Sequence, residues 1–333
     1  MSMPKVLITG ASGFVGSWLV QESLKRGWET YAGIRSTSSR ALLQDKNINF
    51  VTLDFSDEDH MRSVLSERDY DYIIHNAGVT RAQRDSVYFQ VNSTYSRDFA
   101  KLALEVSGDR LRKFVFISSI EAFGSADGTP DDVVDESVTP NPRTTYGQSK
   151  LRAERELKAI ENLPLIIIRP TAVFGPAEKD FFAFWKTIKS YSVTPTIGNK
   201  DIKYTFIYVK DLARVVLDAA ASDIVQKSYF ASDGRIHKMD HFLSHIAASL
   251  NKKTLSFTIP YLVIETAVAI TGLLDKVTGK KSLLNAEQIA KAKAQNWDCD
   301  ISDLVQDFHY RPAYTLEAAV HETTDWYIEH GWI

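Results

Sequence analysis

The loop Thr9-Gly-Ala-Ser-Gly-Phe-Val-Gly16 limits most what this chain can fold into. It follows the short apolar run Lys5–Thr9 and opens a helix-like segment from Gly16 to Lys25, with Gly27 just past its end. Gly10, Gly13 and Gly16 stand three apart. Gly10 permits a tight turn, Gly13 removes a side chain where a pyrophosphate must approach, and Gly16 lets the helix pack closely on a sheet. The helix N-terminus then offers unpaired N–H groups to phosphates. Ser12, Phe14 and Val15 belong to the same cradle. A strand, this loop and a helix point to a dinucleotide on a parallel sheet.

The rest of the first half keeps the alternation. Thr30–Ile34, Asn49–Leu53, Tyr72–His75, Phe114–Ser118 and Leu165–Ile168 read as strands. Helical stretches separate them, among them Val87 to Leu104 and Tyr146 to Ile160. Such alternation implies a doubly wound α/β parallel sheet, with ligands at the carboxyl ends of its strands. Asp54 and Phe55, Asn76-Ala-Gly78, Thr80, Ser119 and the run Pro170–Pro176 all follow strands, so they are expected on one edge. Asp54 reads as a contact to the adenine amino group or as a helix cap. Phe206–Val209 followed by Asp211–Ala221 looks like one more strand-helix unit. The expected division is residues 1–175 plus about 201–234 for the dinucleotide domain, and about 176–200 plus 235–333 for a smaller C-terminal lobe that takes the substrate.

Composition narrows the class. With 333 residues, 44% of them hydrophobic, the chain can bury a large domain and a lobe. A formal net charge of −3 argues against nucleic acid as a partner. Cys299 is the only cysteine, which fits a reducing, cytoplasmic setting. The apolar stretch Ile259 to Leu274 is shorter than a membrane span and contains Pro260 and Glu265. Its helical spacing predicts packing on a core, and no membrane partner is expected. His237, His241 and His245 stand four apart, but a solvated helix face explains them and no metal is expected.

Two further features point to chemistry. Tyr146 and Lys150 share one helix face, and a neighbouring ammonium is expected to lower the phenol's pKa. Ser119 would polarise a substrate oxygen. In reduction, Tyr146 would donate the proton while a nicotinamide supplies hydride. The second strand's end, Tyr31-Ala-Gly-Ile-Arg-Ser-Thr-Ser-Ser-Arg40, carries Arg35 and no acid. A cation there suits a 2′-phosphate, so NADP is favoured over NAD.

Together the glycine loop, His75-Asn-Ala-Gly78, Val91-Asn92, Phe116-Ile-Ser-Ser119, Tyr146–Lys150, Arg169-Pro-Thr-Ala-Val-Phe-Gly-Pro176 and Phe206-Ile-Tyr-Val-Lys-Asp-Leu-Ala213 carry a resemblance. The chain resembles the extended short-chain dehydrogenases/reductases of the NAD-dependent epimerase/dehydratase group, over nearly its whole length. The resemblance implies a Rossmann domain and a homodimer formed through helices Val87–Leu104 and Tyr146–Ile160. It implies that Asn92 lies near the active-site water or cofactor, and that Pro170 and Val173 border the nicotinamide amide. Ser118–Gly124 resembles the hydroxysteroid-dehydrogenase branch, and Arg169–Pro176 with Arg35 the dihydroflavonol-reductase-like branch. Nucleotide-sugar enzymes often carry Asn where Ala172 stands. Sugar dehydratases place an acid where Ile120 stands and keep a base at Glu121. The expected function is hydride transfer between nicotinamide and an apolar ketone or secondary alcohol. The alternative is a nucleotide-sugar epimerase or dehydratase with retained NAD. Glu121 and Phe174, with Thr80, are the expected substrate contacts. A non-catalytic dinucleotide sensor is disfavoured, because it needs no proton donor.

Overall fold

A computed structural model describes residues 3–126, 132–198, 202–266, 268, 294 and 296–333. The main sheet has seven parallel strands: β1 (Lys5–Thr9), β2 (Glu29–Ile34), β3 (Asn49–Thr52), β4 (Tyr72–His75), β5 (Lys113–Ile117), β6 (Leu165–Pro170) and β10 (Lys227–Ala231). Their order is β10-β6-β5-β4-β1-β2-β3. The chain therefore reverses direction between β1 and β4, the place where open sheets form a ligand crevice.

Strand periodicity builds two cores. Val6 and Ile8 of β1, Val115 and Ile117 of β5, and Ile166 and Ile168 of β6 face one side. There they meet α1 (Phe14–Lys25) and α7 (Val209–Ala221). Leu7, Phe114, Phe116, Leu165 and Ile167 face the other side, against α2 (Glu58–Ser66), α4 (Tyr95–Ser107) and α5 (Thr145–Lys158). Both faces of every central strand are covered, which explains their continuous apolar sequences.

Three expectations change. The strand at Phe206–Tyr208 (β9) pairs with Ala172–Phe174 (β7) in a separate two-stranded sheet. The seventh main strand is β10, whose Lys227 and Ser228 obscure its apolar run. The stretch read as one helix from Val87 is α3 (Asp85–Phe89), a π-helical turn over Gln90–Thr94, and then α4. Asp57, not Asp54, caps α2, accepting from His60 N at 2.9 Å.

The remaining elements are α6 (Phe182–Tyr191), β8 (Val193–Ile197), α8 (Met239–Ser249), β11 (Leu255–Ile259), α9 (Ser302–Phe308) and α10 (Leu316–Glu329). Trp185, Phe206, Phe242 and Tyr327 centre their core. Phe14, Val15 and Trp18 of α1 pack against it. Of the Ile259 to Leu274 stretch, residues 267 and 269–274 lie outside the described residues. In its described part, Leu262 is 72% and Val263 55% exposed, so these two do not pack on a core as expected.

Candidate active site

The glycine loop is shaped by close backbone contact. Gly10 has φ +65°, and a Cβ there would stand 2.9 Å from Ala77 Cα. A Cβ on Gly16 would stand 2.1 Å from Gly10 O, so α1 can start where it does only with glycine. Gly13 is the N-cap of α1 and is exposed, leaving the helix start open to an anion. Ser12, Phe14 and Val15 are partly buried around it.

Asn76-Ala-Gly78 at the end of β4 is tied to this loop. Thr9 Oγ1 accepts from Asn76 N at 3.2 Å and Ala77 N at 3.0 Å. With both amides donating, the Thr9 proton goes to His75 Nδ1, 2.9 Å away. His75 Nε2–H then donates to Ser96 Oγ at 2.9 Å, and Ser96 donates to Asn92 O at 2.8 Å. Burial among Phe55, Phe99, Phe114 and Phe116 holds His75 neutral, its pKa lowered to about 3. This relay joins the glycine loop to the π-helical turn that carries Asn92. Such turns recur at functional sites.

Asn92 is fully buried. Its Oδ1 accepts from Val79 N at 2.8 Å, and its Nδ2 donates to Val79 O and Ser149 Oγ, both at 3.0 Å. Ser149 donates to Tyr146 O at 2.7 Å. Thr144 caps α5, accepting from Gly147 N at 2.9 Å and donating to Glu121 Oε2 at 2.9 Å. A Cβ on Gly147 would lie 2.2 Å from Glu121 O, so α5 seats directly on the turn Ile120–Ala122.

Ser119, Tyr146 and Glu121 meet there. The Ser119 hydroxyl hydrogen-bonds the Tyr146 phenol. Burial, followed by the Glu121 charge, raises the Tyr146 pKa above its ordinary value. The expected lowering by Lys150 is absent, because Lys150 Nζ donates to Ile117 O at 2.8 Å and lies over the Phe116 ring. Burial lowers the Lys150 pKa to about 8, against a smaller opposing effect of Glu154. A Cβ on Gly78 would stand 3.5 Å from Lys150 Nζ and 3.0 Å from Asn92 Oδ1, so the missing side chain opens the space those groups face. Ile120 is packed in an apolar cluster with Phe123, Leu151 and Phe230.

A buried ion pair backs the site. Arg169, at the end of β6, donates to both Glu154 carboxylate oxygens, with its Nη2 at 2.7 Å from Oε2. Ser118 also donates to Glu154, and Arg169 pairs with Glu136. The guanidinium lies over the Phe123 ring, 4.2 Å from its centroid.

Other expected positions separate. Arg35 is exposed at the end of β2 and has no ion pair among the described residues. Asp54 is exposed and closes a turn on Ser56 N at 3.0 Å. Phe55 packs on His75 with ring centroids 5.6 Å apart. Pro170 is buried, Val173 is half-buried beside α1, and Thr80 is exposed. Phe174, expected at the substrate, is instead core: it is 2% exposed and its ring meets Phe206, Tyr208 and Phe242. His237 is buried and bonds Asp233 Oδ2 at 2.7 Å, while His241 and His245 lie along α8 with tilted rings, centroids 4.5 Å apart.

Residues 6–229 match the NAD dependent epimerase/dehydratase family. The chain belongs to that family. It is therefore an extended short-chain dehydrogenase/reductase enzyme. A UDP-glucose 4-epimerase of Vibrio cholerae is 25% identical, covering 98% of this chain and 97% of that protein. A ceramide reductase of Caulobacter vibrioides is 22% identical over 98% and 96%. Among solved structures, UDP-glucose 4-epimerase of Thermotoga maritima with UDP-glucose superposes with a TM-score of 0.79, at 17% identity over 98% and 99%. The dTDP-glucose 4,6-dehydratase of Bacillus anthracis in complex with NAD gives 0.78, at 18% identity over 99% and 98%.

Proposed function

We propose that this family member carries out reversible hydride transfer at a secondary alcohol carbon, with Tyr146 moving the proton on oxygen. The observation behind the reading is the Ser119–Tyr146 hydrogen bond beside Lys150 and an open glycine loop. The residues fit a dinucleotide: Gly13 leaves the α1 N-terminus open, and Gly78 leaves space before Lys150 and Asn92. Bound there, a nicotinamide dinucleotide supplies or accepts the hydride. Lys150 holds the ribose hydroxyls. Ser119 Oγ donates to the substrate oxygen. Tyr146 Oη gives its proton in reduction and takes one in oxidation. Its raised pKa keeps the phenol protonated at neutral pH, as reduction requires, and the oxidation step requires the positive charge of an oxidised nicotinamide to bring that pKa down. Asn92 acts by holding Val79 and Ser149, and through Ser149 the start of α5.

The relatives favour a nucleotide-sugar over an apolar ketone as the carrier of that carbon. The first reading is thus a nucleotide-sugar epimerase that retains NAD, oxidising and re-reducing one carbon. Dehydration is less well supported, since Ile120 is core where an acid is needed. A second reading, an NADP-linked reductase of an apolar ketone, rests on particular residues. Ala172 puts a methyl group against the C-terminal core, and Arg35 is exposed with no acid beside it on β2. The likeness to the Caulobacter ceramide reductase agrees with it.

The two readings separate on the purified protein. Denaturation releases any bound dinucleotide for quantification, and UDP-glucose, UDP-galactose and ketones with NADPH are then supplied in turn. Sugar interconversion with NAD retained is the expected result. NADPH consumption by a ketone, without sugar turnover, overturns the first reading in favour of the second.

A further inference from the structure

The small sheet of β8 and β11 is turned inside out. The strands pair in parallel, with Leu255 opposite Val193, Phe257 opposite Pro195 and Ile259 opposite Ile197. Alternation along a strand places these six on one face. Leu255 is 73%, Phe257 42% and Ile197 38% exposed. The opposite face carries Thr194 and Thr196, both buried, with Thr196 Oγ1 3.1 Å from Thr258 Oγ1. Along β8 the hydroxyls are buried while Leu255, Phe257 and Ile197 are exposed, the reverse of what a half-covered sheet requires, although Ser256 beside Thr194 on the edge strand is exposed. Tyr191, just before β8, is also exposed, as are Leu262 and Val263 just after β11. Scattered exposed apolar residues need no explanation, but a continuous set marks a contact surface.

The surrounding charge is mainly positive, with Asp180 and Glu265 just outside it. Residues 182–198 and 250–264 contain Lys186, Lys189, Lys252 and Lys253 and neither Asp nor Glu, in a chain whose net charge is −3. All four lysines are exposed. Because β8 and β11 are parallel neighbours, Lys189 and the pair Lys252 and Lys253 precede the same end of the sheet. Hydrocarbon edged by ammonium groups matches the interface of an anionic bilayer, where acyl chains lie under negative headgroups.

We propose that the β8–β11 face docks this protein on the surface of an anionic lipid bilayer. No helix among the described residues is long and apolar enough to cross a membrane, and a surface contact needs none. The proposal departs from the expectation of no membrane partner. A chain of contacts runs from the face toward the candidate site. The Tyr261 ring covers Gly198, Tyr261 lies within electrostatic reach of Tyr204, and Trp297 N donates to Lys203 O at 3.0 Å. Trp297 then lines a recess with Glu121 and Thr144.

The inference is independent of the proposed chemistry, because vesicle binding requires no turnover. Full-length protein is sedimented with vesicles of phosphatidylcholine alone or mixed with phosphatidylglycerol. Cosedimentation is expected with the anionic vesicles and weak with phosphatidylcholine alone. The Lys252→Glu/Lys253→Glu variant should partition at least about thirtyfold less, at roughly 1 kcal/mol per lysine. Leu255→Ser/Phe257→Ser should abolish binding, with the circular dichroism spectrum and dinucleotide affinity unchanged. The proposal is overturned if anionic vesicles do not retain the wild type, or if both variants bind as it does. It is also overturned if Leu255→Ser/Phe257→Ser turns a dimer into monomer without altering vesicle binding, since a second copy would then cover the face.

Discussion

Tyr146 and Lys150 are coupled differently from what their spacing alone suggests. Four residues apart on a helix places them on one face, and that much was legible. The direction of the lysine was not, since it depends on Ile117 O, which comes from a strand far away in sequence. The consequence is a pH signature. Lys150 has its pKa lowered to about 8 in the fold, against about 10.4 when unfolded. Below about pH 8 both states are charged, and the folded state carries the full burial cost. Between those values the unfolded chain binds more protons, so stability rises with pH. Lys150→Met should therefore melt higher than wild type at pH 7, by roughly 2–4 °C for each kcal/mol relieved. The gap should close by about pH 10 while activity is lost. Thermal melts at the two pH values check this; a lower-melting variant at pH 7 would contradict it. His75 shifts stability in the same direction, in a lower pH range. Its pKa of about 3 means that stability falls as pH drops below about 6.5, where the unfolded imidazole gains its proton first. Ring nitrogen shifts at pH 5 should show a neutral His75 protonated on Nε2; a charged ring would break the relay argument.

At the scale of elements, the sheet was largely readable because buried parallel strands are short apolar runs between helices. The sheet that β9 joins was not readable, because a three-residue strand before a helix looks the same in either sheet. The glycine loop was legible through spacing alone. The clamps that aim it and seat α5 were not: Thr9, Ser96, Thr144 and Ser149 are hydroxyls whose partners lie 3 to 68 residues away. One missed group did leave a trace. Glu154 follows Lys150 by four on the same helix face, and a carboxylate there implies a buried cation. That cation is Arg169, which joins β6 to α5 with side chains 0% and 2% exposed. Arg169→Met strands the Glu154 charge and should cost about 3–5 kcal/mol. Arg169→Met/Glu154→Met should cost less than the single change. Denaturant unfolding of both variants decides it; equal or greater loss in the double variant would show that packing on Phe123 and Phe230 dominates instead.

Over the whole molecule, the C-terminal core continues into α1 through Phe14, Val15 and Trp18, and Trp18 Nε1 donates to Pro176 O at 3.1 Å. Shared packing of this kind couples the parts, so tryptophan fluorescence and circular dichroism should report one coincident unfolding transition. A dinucleotide at 100 times its Kd should add about 2.7 kcal/mol to that single transition. Two separated transitions, with only the later one ligand-sensitive, would show that the lobe folds independently. The family was legible because its motifs sit in the sheet edge. The carrier of the reacting carbon was not, because its recognition is spread over elements of no fixed motif. The measurement closest to the central claim is the fate of deuterium, followed from UDP-glucose labelled at carbon 4 with the retained dinucleotide and from 4-deuterated NADPH with ketones, using wild type and Tyr146→Phe. Wild type should return the label to the inverted carbinol carbon of UDP-galactose; label arriving only from NADPH on a reduced ketone would favour the second reading. Tyr146→Phe should transfer the label about 10²–10⁴-fold more slowly while binding dinucleotide nearly as well. Deuterium transfer by Tyr146→Phe at the wild-type rate would contradict the account.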